Sequence, residues 1–302
     1  MATVLMNSLT QALNSGRLMV TAECLPPRGA DAEAVKKLGT LLPGKLNAVV
    51  VADNPDKVRC SAFSAAVLLH KEMHTSVVLS MATRDRNRLA LMSDVLGAAA
   101  LGIPAILCMS GIHQSLGVCP QAAAANDIDS VQFTQAMKKM ILYGSGLNGK
   151  EIEPRLDLEI GVTAHPYMRP MELNLLRLKK KIIVGADFVI TQAVFDLKGF
   201  QEWMEAVRAA GLDNRTAIIA SVLPLTGVEE ARELQQSQTY GPIGDAVIAR
   251  MSKSRDPAGE GVTIASEMAV ELKAIRGVRG IHILSGGRES LAAEVTKRAR
   301  LL

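Results

Sequence analysis

Apolar residues gather along this chain into short, nearly continuous runs. Eight of them stand out: LMVTAEC (18–24), LNAVVVAD (46–53), SVVLSMA (76–82), AILCMS (105–110), LEIGVTA (158–164), FVITQAV (188–194), AIIASVL (217–223) and GIHILSG (280–286). A strand with one wet face alternates apolar and polar residues, whereas a strand covered on both faces does not, and that is the condition of parallel strands under helices. Helical spacing fills the gaps, at 31–42, 56–73, 85–101, 128–143, 171–184, 198–210, 227–238 with 261–275, and 287–300. Eight strand–helix units in 302 residues predict an α/β fold, a (β/α)8 TIM barrel. The barrel is expected to span 1–302 as a single domain, with residues 4–15 as an extra N-terminal helix closing its bottom. The rival fold, a doubly wound open sheet, carries a GxGxxG turn after its first strand, and ECLPPRGAD (23–31) has none. Residues 144–157 and 252–261 read as long surface loops.

Composition narrows the partners. One Trp, three Tyr and five Phe leave few platforms for stacked bases, so nucleic acid is not expected as a partner. The net charge of +4 is mild, and its densest run, Lys179-Lys180-Lys181, reads as a solvated helix face with one lysine turned toward an anion. The N-terminal segment lacks a basic leader ahead of a long apolar core, and no run has the length of a membrane helix. Cys24, Cys60, Cys108 and Cys119 show neither a CxxC nor a paired spacing with histidines, so a reduced, cytoplasmic chain without a metal site or disulfides is expected.

In a barrel the site lies where the strands end. Glu23 ends the first strand, and partial desolvation there raises a carboxyl pKa and suits it to general-acid work; a solvated rim glutamate is the alternative. Thr191 and Gln192 interrupt an apolar strand, and a buried amide needs either a heterocycle edge or a neighbouring loop as partner. His165, with Tyr167 and Arg169, reads as a contact to a ring or phosphate, or as the cap of the next helix. Arg84, Arg86 and Arg88 at a strand-to-helix junction favour an anion, unless Asp85 caps the helix and the arginines are solvated. Gly286-Gly287 reads as a phosphate loop or a plain turn. Ser110-Gly111 would let a ligand approach the backbone, yet the next residue is the apolar Ile112. No lysine falls at the end of a predicted strand, so Schiff-base chemistry lacks its nucleophile.

Taken together, AECLPPRGAD (22–31), ADN (52–54), TRDRNRLALMSDVLGAAALGI (83–103), SGIHQSLG (110–117), GADFVITQAVFD (185–196) and GVRGIHILSGG (277–287) resemble the methylenetetrahydrofolate reductase family, in its short single-domain form. The resemblance implies an oxidoreductase of one-carbon metabolism: a flavoprotein barrel with FAD across the strand ends, reducing 5,10-methylenetetrahydrofolate to 5-methyltetrahydrofolate. The electrons would come from NAD(P)H or a partner electron-transfer protein, and the sequence leaves a homo- or hetero-oligomer open. By the same resemblance Glu23 is the acid that protonates folate N10, and Gln192 touches the pterin and nicotinamide. FAD contacts would fall on Ala52, Asp53, Asn54, Ser80, Ser110, Gly111, Asp129, Ser130, Ala164, His165, Arg169 and Lys181. This chain departs from the family at Ile112, where an aspartate approaches flavin and pterin, at Ser80 for a histidine, at Ala52 for a threonine, and at Val118 for an acid. Those departures leave a second expectation, a non-reducing folate-binding or methyl-transfer subunit of the same fold that has lost flavin chemistry.

Overall fold

The eight apolar runs pair edge to edge in sequence order. In a computed structural model, which describes residues 8–117, 119–147, 149–237 and 240–302, the strands are β1 (Met19–Cys24), β2 (Ala48–Val51), β3 (Ser76–Ala82), β4 (Ala105–Met109), β5 (Glu159–Ala164), β6 (Phe188–Ala193), β7 (Ala217–Val222) and β8 (Val278–Ile283). All neighbours are parallel, and β8 returns to pair with β1, closing a (β/α)8 TIM barrel. The helices are α1 (Ser8–Ser15), α2 (Ala32–Leu41), α3 (Ala62–Glu72), α4 (Arg88–Ala100), α5 (Ser130–Tyr143), α6 (Met171–Ile183), α7 (Leu197–Ala209), α8 (Val228–Ser237), α9 (Asp245–Lys253), α10 (Pro257–Ala274) and α11 (Ser290–Arg298).

Strand parity explains why the runs are continuous. Along β1, Val20, Ala22 and Cys24 pack outward into the core shared with the helices, while Met19 packs inward with Val50, Val78, Leu107, Phe188, Ile190 and Ile219. Both sides are therefore dry, and each fully buried Leu, Ile, Val or Phe contributes on the order of 1.5–3 kcal/mol. Helix α1 closes the N-terminal end: Leu9 is fully buried against the inner cluster, and its backbone N–H donates to Ser76 Oγ at 3.2 Å. The first residues of the predicted 4–15 helix lie outside the described residues.

The structure corrects three boundaries. Residues 252–261 are not a loop, because α9 runs to Lys253 and α10 begins at Pro257. Asp256 is the cap of α10, accepting from the Gly259 N–H at 3.0 Å, and Pro257 sits in the first turn, where its missing N–H costs nothing. Helix α3 starts at Ala62 rather than near 56, since Asn54 adopts φ 46° and opens a turn. Strand β8 stops at Ile283 because Gly286 and Gly287 both take positive φ. Among the described residues no helix is long and apolar enough to cross a membrane.

Candidate active site

A cavity of about 300 Å³ opens at the C-terminal mouth of the barrel. Glu23 lines it because it shares the inward parity of Met19 and Thr21. Its Oε2 accepts from the Ser285 N–H at 3.0 Å, the Gly286 N–H at 3.1 Å and the Ser285 hydroxyl at 3.3 Å. The other oxygen, Oε1, has no hydrogen-bond partner among the described residues. Burial raises the carboxyl pKa; the three donors oppose that rise and the nearby Glu289 carboxylate adds to it. A protonated Glu23 thus carries its proton most readily on Oε1, toward the cavity. The solvated-rim alternative fails, for the residue is only 7% exposed. The phosphate-loop reading of Gly286-Gly287 fails as well, since the donors at 285 and 286 already serve this carboxylate.

His282 and Thr21 are partners in the β1–β8 register, and Thr21 Oγ1 lies 2.9 Å from His282 Nδ1 inside the barrel. Burial pulls the His282 pKa down to about 3, so the ring stays neutral over the working range of pH.

The three arginines after β3 meet neither expectation. Arg84 pairs with Asp85 at 2.6 Å, Arg86 with Asp53 at 2.7 Å and Arg88 with Asp127 at 2.7 Å, while Asn87 caps α4. Arg84 and Arg86 are largely held away from solvent and Arg88 is exposed, but each is ion-paired rather than left free for an anion. Asp53 is buried and also accepts from the Ala82 N–H at 3.1 Å, which ties β2 to β3 under the mouth. Removing it leaves Arg86 with Asp94 alone, at 3.3 Å, and takes the side-chain acceptor from the Ala82 N–H. Asp53→Ala is expected to cost about 3 kcal/mol, seen as a lower midpoint in urea unfolding; a midpoint within error of the parent would deny the pair this role.

At the end of β4, Gly111 takes φ 79°, and a Cβ there would meet Arg84 Cβ at 3.2 Å. Glycine is required by both backbone and space. The turn presents Ile112 at the mouth, 44% exposed, with Leu107 and Met109 below it in the cavity wall. Ser110 Oγ donates to Ser130 Oγ at 2.9 Å, so Ser130 stands behind the wall. Val118 lies outside the described residues.

The polar interruption of β6 has a structural cause. The β6–β7 register shifts between Ile190 and Ala193. Within the shift, Ser221 donates its N–H to Thr191 Oγ1 at 3.1 Å and its hydroxyl to Thr191 O at 2.6 Å, replacing ladder bonds. Gln192 is thereby delivered to the cavity, where its side chain hydrogen-bonds His165. His165 does not cap α6; Pro170 holds that position, and Asn174 Nδ2 ties the loop by donating to His165 O at 2.8 Å. Desolvation of the ring, then the Lys181 ammonium, pull the His165 pKa down toward about 4, and the residue's exposure to solvent weakens that effect.

Lys181 corrects the expectation that no lysine reaches a strand end. From α6 its Nζ donates to Thr163 O at 2.7 Å at the end of β5, in the cavity lining, and burial lowers its pKa. Its neighbours Lys179 and Lys180 are solvated, as their helix face predicts.

Of the expected site residues, Glu23, Ala52, Asp53, Asn54, Ser80 and Ser110 all line the cavity. Gly111, Ile112, Ala164, His165, Lys181 and Gln192 do so as well. Asp129, Ser130 and Arg169 do not: Asp129 caps α5, Ser130 backs Ser110, and Arg169 is exposed with its guanidinium 3.8 Å from Met171 Sδ. Sequence reasoning missed His282, Tyr240 and Glu289. The histidine had a signal, a polar residue of inward parity in an apolar run; the other two come from loops whose placement only the closed barrel decides.

Apolar walls from Ala52, Ala82, Leu107 and Met109, with polar groups supplied by strands around the mouth, fit a planar heteroaromatic ring. Lys181 is the lining cation that forms no ion pair among the described residues, and so is the group suited to an anionic part of such a ligand.

The model of the family described as methylenetetrahydrofolate reductase matches residues 8–300. Methylenetetrahydrofolate reductase 2 of Saccharomyces cerevisiae is 31% identical over 157 residues, covering 47% of this chain and 25% of that protein. The 5,10-methylenetetrahydrofolate reductase of Escherichia coli is 29% identical over 145 residues, 45% of this chain and 47% of that one. The matched stretches thus span half or less of these relatives, whereas the Pectobacterium carotovorum reductase aligns at 22% identity over 92% of this chain and 88% of its own. Among solved structures, a Clostridium thermocellum protein that binds two copies of 5-methyl-5,6,7,8-tetrahydrofolic acid has the same fold, with a TM-score of 0.67 at 15% identity over 97% of this chain and 99% of that one. Matched by the family's model from the closing helix to the last strand–helix unit, the chain belongs to the methylenetetrahydrofolate reductase family.

Proposed function

We propose that this protein is a cytoplasmic, FAD-dependent reductase of 5,10-methylenetetrahydrofolate or a close folate, acting as one (β/α)8 domain over residues 1–302. The observation that carries the reading is the buried Glu23 carboxyl, with Oε2 held by two backbone N–H groups beside the Ser285 hydroxyl and Oε1 facing the cavity that Gln192 also lines. FAD, when bound, would supply the hydride, its two electrons drawn from a reduced donor. NAD(P)H or a partner electron-transfer protein is that donor. The chain's own residues do the rest. Glu23 gives its Oε1 proton to folate N10 as the imidazolidine ring opens, and becomes an anion held by Ser285 and Gly286. Gln192, steadied by His165, offers an amide edge to the pterin. Ala52, Asp53, Asn54, Ser80, Ser110, Gly111, Ala164 and Lys181 form the wall and rim for the cofactor, while Asp129, Ser130 and Arg169 act from outside that wall. The visible spectrum of the purified protein tests the reading. Absorbance near about 450 nm, bleached by a reduced donor and restored by methylenetetrahydrofolate, is expected; bound flavin that the folate never reoxidises overturns it.

Ile112 gives a separate prediction. A carboxylate beside the ring disfavours an anionic reduced flavin, at a cost of about 1–2 kcal/mol for a partly solvated charge. Ile112→Asp is therefore expected to lower the two-electron midpoint potential by about 20–40 mV. A potential equal to the parent's in dye-coupled reduction would place Ile112 away from the ring.

The same residue favours a second reading, a folate-binding or methyl-transfer protein without reductase chemistry. Ile112 leaves a pterin donor without its acceptor, and the Clostridium thermocellum barrel binds a methylated folate. A colourless protein that binds methyltetrahydrofolate in calorimetry and takes up no added FAD would select it.

A further inference from the structure

Beside Glu23 lies a second buried carboxylate, Glu289, which is 2% exposed and accepts the Leu25 N–H at 2.9 Å on Oε1. Between the two sits Ser285. Its Oγ is 3.3 Å from Glu23 Oε2 and 3.3 Å from Glu289 Oε1, and it accepts the Gly287 N–H at 3.1 Å. A hydroxyl has a single proton to give. Two carboxylates at equal distance compete for it.

The geometry points to Ser285 and Glu289 as positioning residues for the acid: the serine proton lies toward Glu289 while Glu23 is protonated, and swings to Glu23 once Glu23 has delivered its proton to the cavity. This rests on the acid role proposed for Glu23. Burial is the main reason Glu23 keeps its proton before the transfer, and the neighbouring Glu289 carboxylate adds to it. Ser285 then steadies the new anion, with the Ser285 and Gly286 N–H groups already in place. No covalent bond other than the transferred O–H changes.

The other groups facing the pair do not replace this control. The Arg59 guanidinium feels both carboxylates but is held by Asp56 at 2.8 Å and by Pro26 O at 2.9 Å. Cys24 and Tyr240 have pKa values raised by burial and stay neutral, and His282 is neutral too.

Infrared titration of the purified full-length protein tests the coupling without turnover. The C=O stretch of protonated Glu23 is assigned by its loss in Glu23→Gln. Glu289→Gln keeps an acceptor for Leu25 but removes the charge and releases the hydroxyl to Glu23, so the midpoint is expected to fall by about one pH unit. Ser285→Ala removes a donor to the anion, so the midpoint is expected to rise by about one pH unit. Shifts of opposite sign support the coupling; shifts of the same sign, or none, overturn it. Should Glu289→Gln lose its native circular dichroism, Ser285→Ala decides alone, and an unmoved midpoint there overturns the coupling. If the shifts appear in a protein that never turns over folate, the reductase reading fails and the coupling stands.

Discussion

Glu23→Gln is expected to keep its cofactor and the reduction of that cofactor by the donor, while folate-dependent reoxidation slows by about 10²–10⁴-fold, the span of a lost general acid. Stopped-flow separation of the two half-reactions makes the measurement. Glutamine preserves the volume of the side chain, and its amide oxygen can take the Ser285 and Gly286 N–H bonds that Oε2 takes now. What it lacks is a proton at Oε1 to give. Equal loss in both half-reactions would mean a collapsed pocket, and unchanged reoxidation would remove Glu23 from the acid role.

The same variant carries a stability signature of definite sign. Burial raises the Glu23 pKa above its ordinary value of 4.5, so between 4.5 and the folded value the native state holds a proton that the unfolded chain has released. Stability then falls as pH rises through that window. Glutamine does not titrate. The melting temperature of Glu23→Gln should therefore gain on the parent as pH increases above 4.5, a trade of stability for function. A difference that does not change with pH would mean the anion is fully accommodated in the fold.

Gly261→Ala is the second large effect. Gly261 lies in α10, and a Cβ there would fall inside the Leu225 carbonyl oxygen in the segment after β7. The obstacle is backbone, so no side chain can rotate away. Overpacking of this kind costs about 3 kcal/mol, or roughly 5 °C in melting temperature for a chain of this size. Because Leu225 and Leu223 are buried with Ile264 in the same cluster, the shift would also disturb the wall between β7 and β8. Calorimetric melting checks it; a loss under about 1 kcal/mol would show that α10 can slide outward without strain.

Much of this was legible in the chain. Continuous apolar runs separated by helical spacing gave strands dry on both faces, and eight of them without the GxGxxG turn of an open sheet pointed to a barrel. Glu23, Gln192 and Ile112 could be placed at its mouth from strand position alone. Boundaries were less legible where a cap decided them, as at Asp256-Pro257, because a polar cap and a polar loop look alike in sequence. The arginines of ATRDRNR were misread for a related reason: their carboxylate partners Asp53 and Asp127 are distant in the chain, and nothing local announces the pairing.

Sequence by itself determined which runs are strands, that both their faces are covered, that Glu23 ends the first of them, and the fold class. Tertiary structure decided what the inward groups meet. Closing β8 onto β1 brings residues some 260 positions apart into contact, so the Ser285 and Gly286 donors fall on Glu23 rather than on a phosphate. The register shift in β6 turns Gln192 to the cavity, and the reach of Lys181 from α6 sets a cation where no strand supplies one. The physical reason is common to all three: hydrophobic pattern is local and fixes which runs are covered strands, whereas hydrogen bonds and charge pairs depend on what closure of the barrel places opposite each residue.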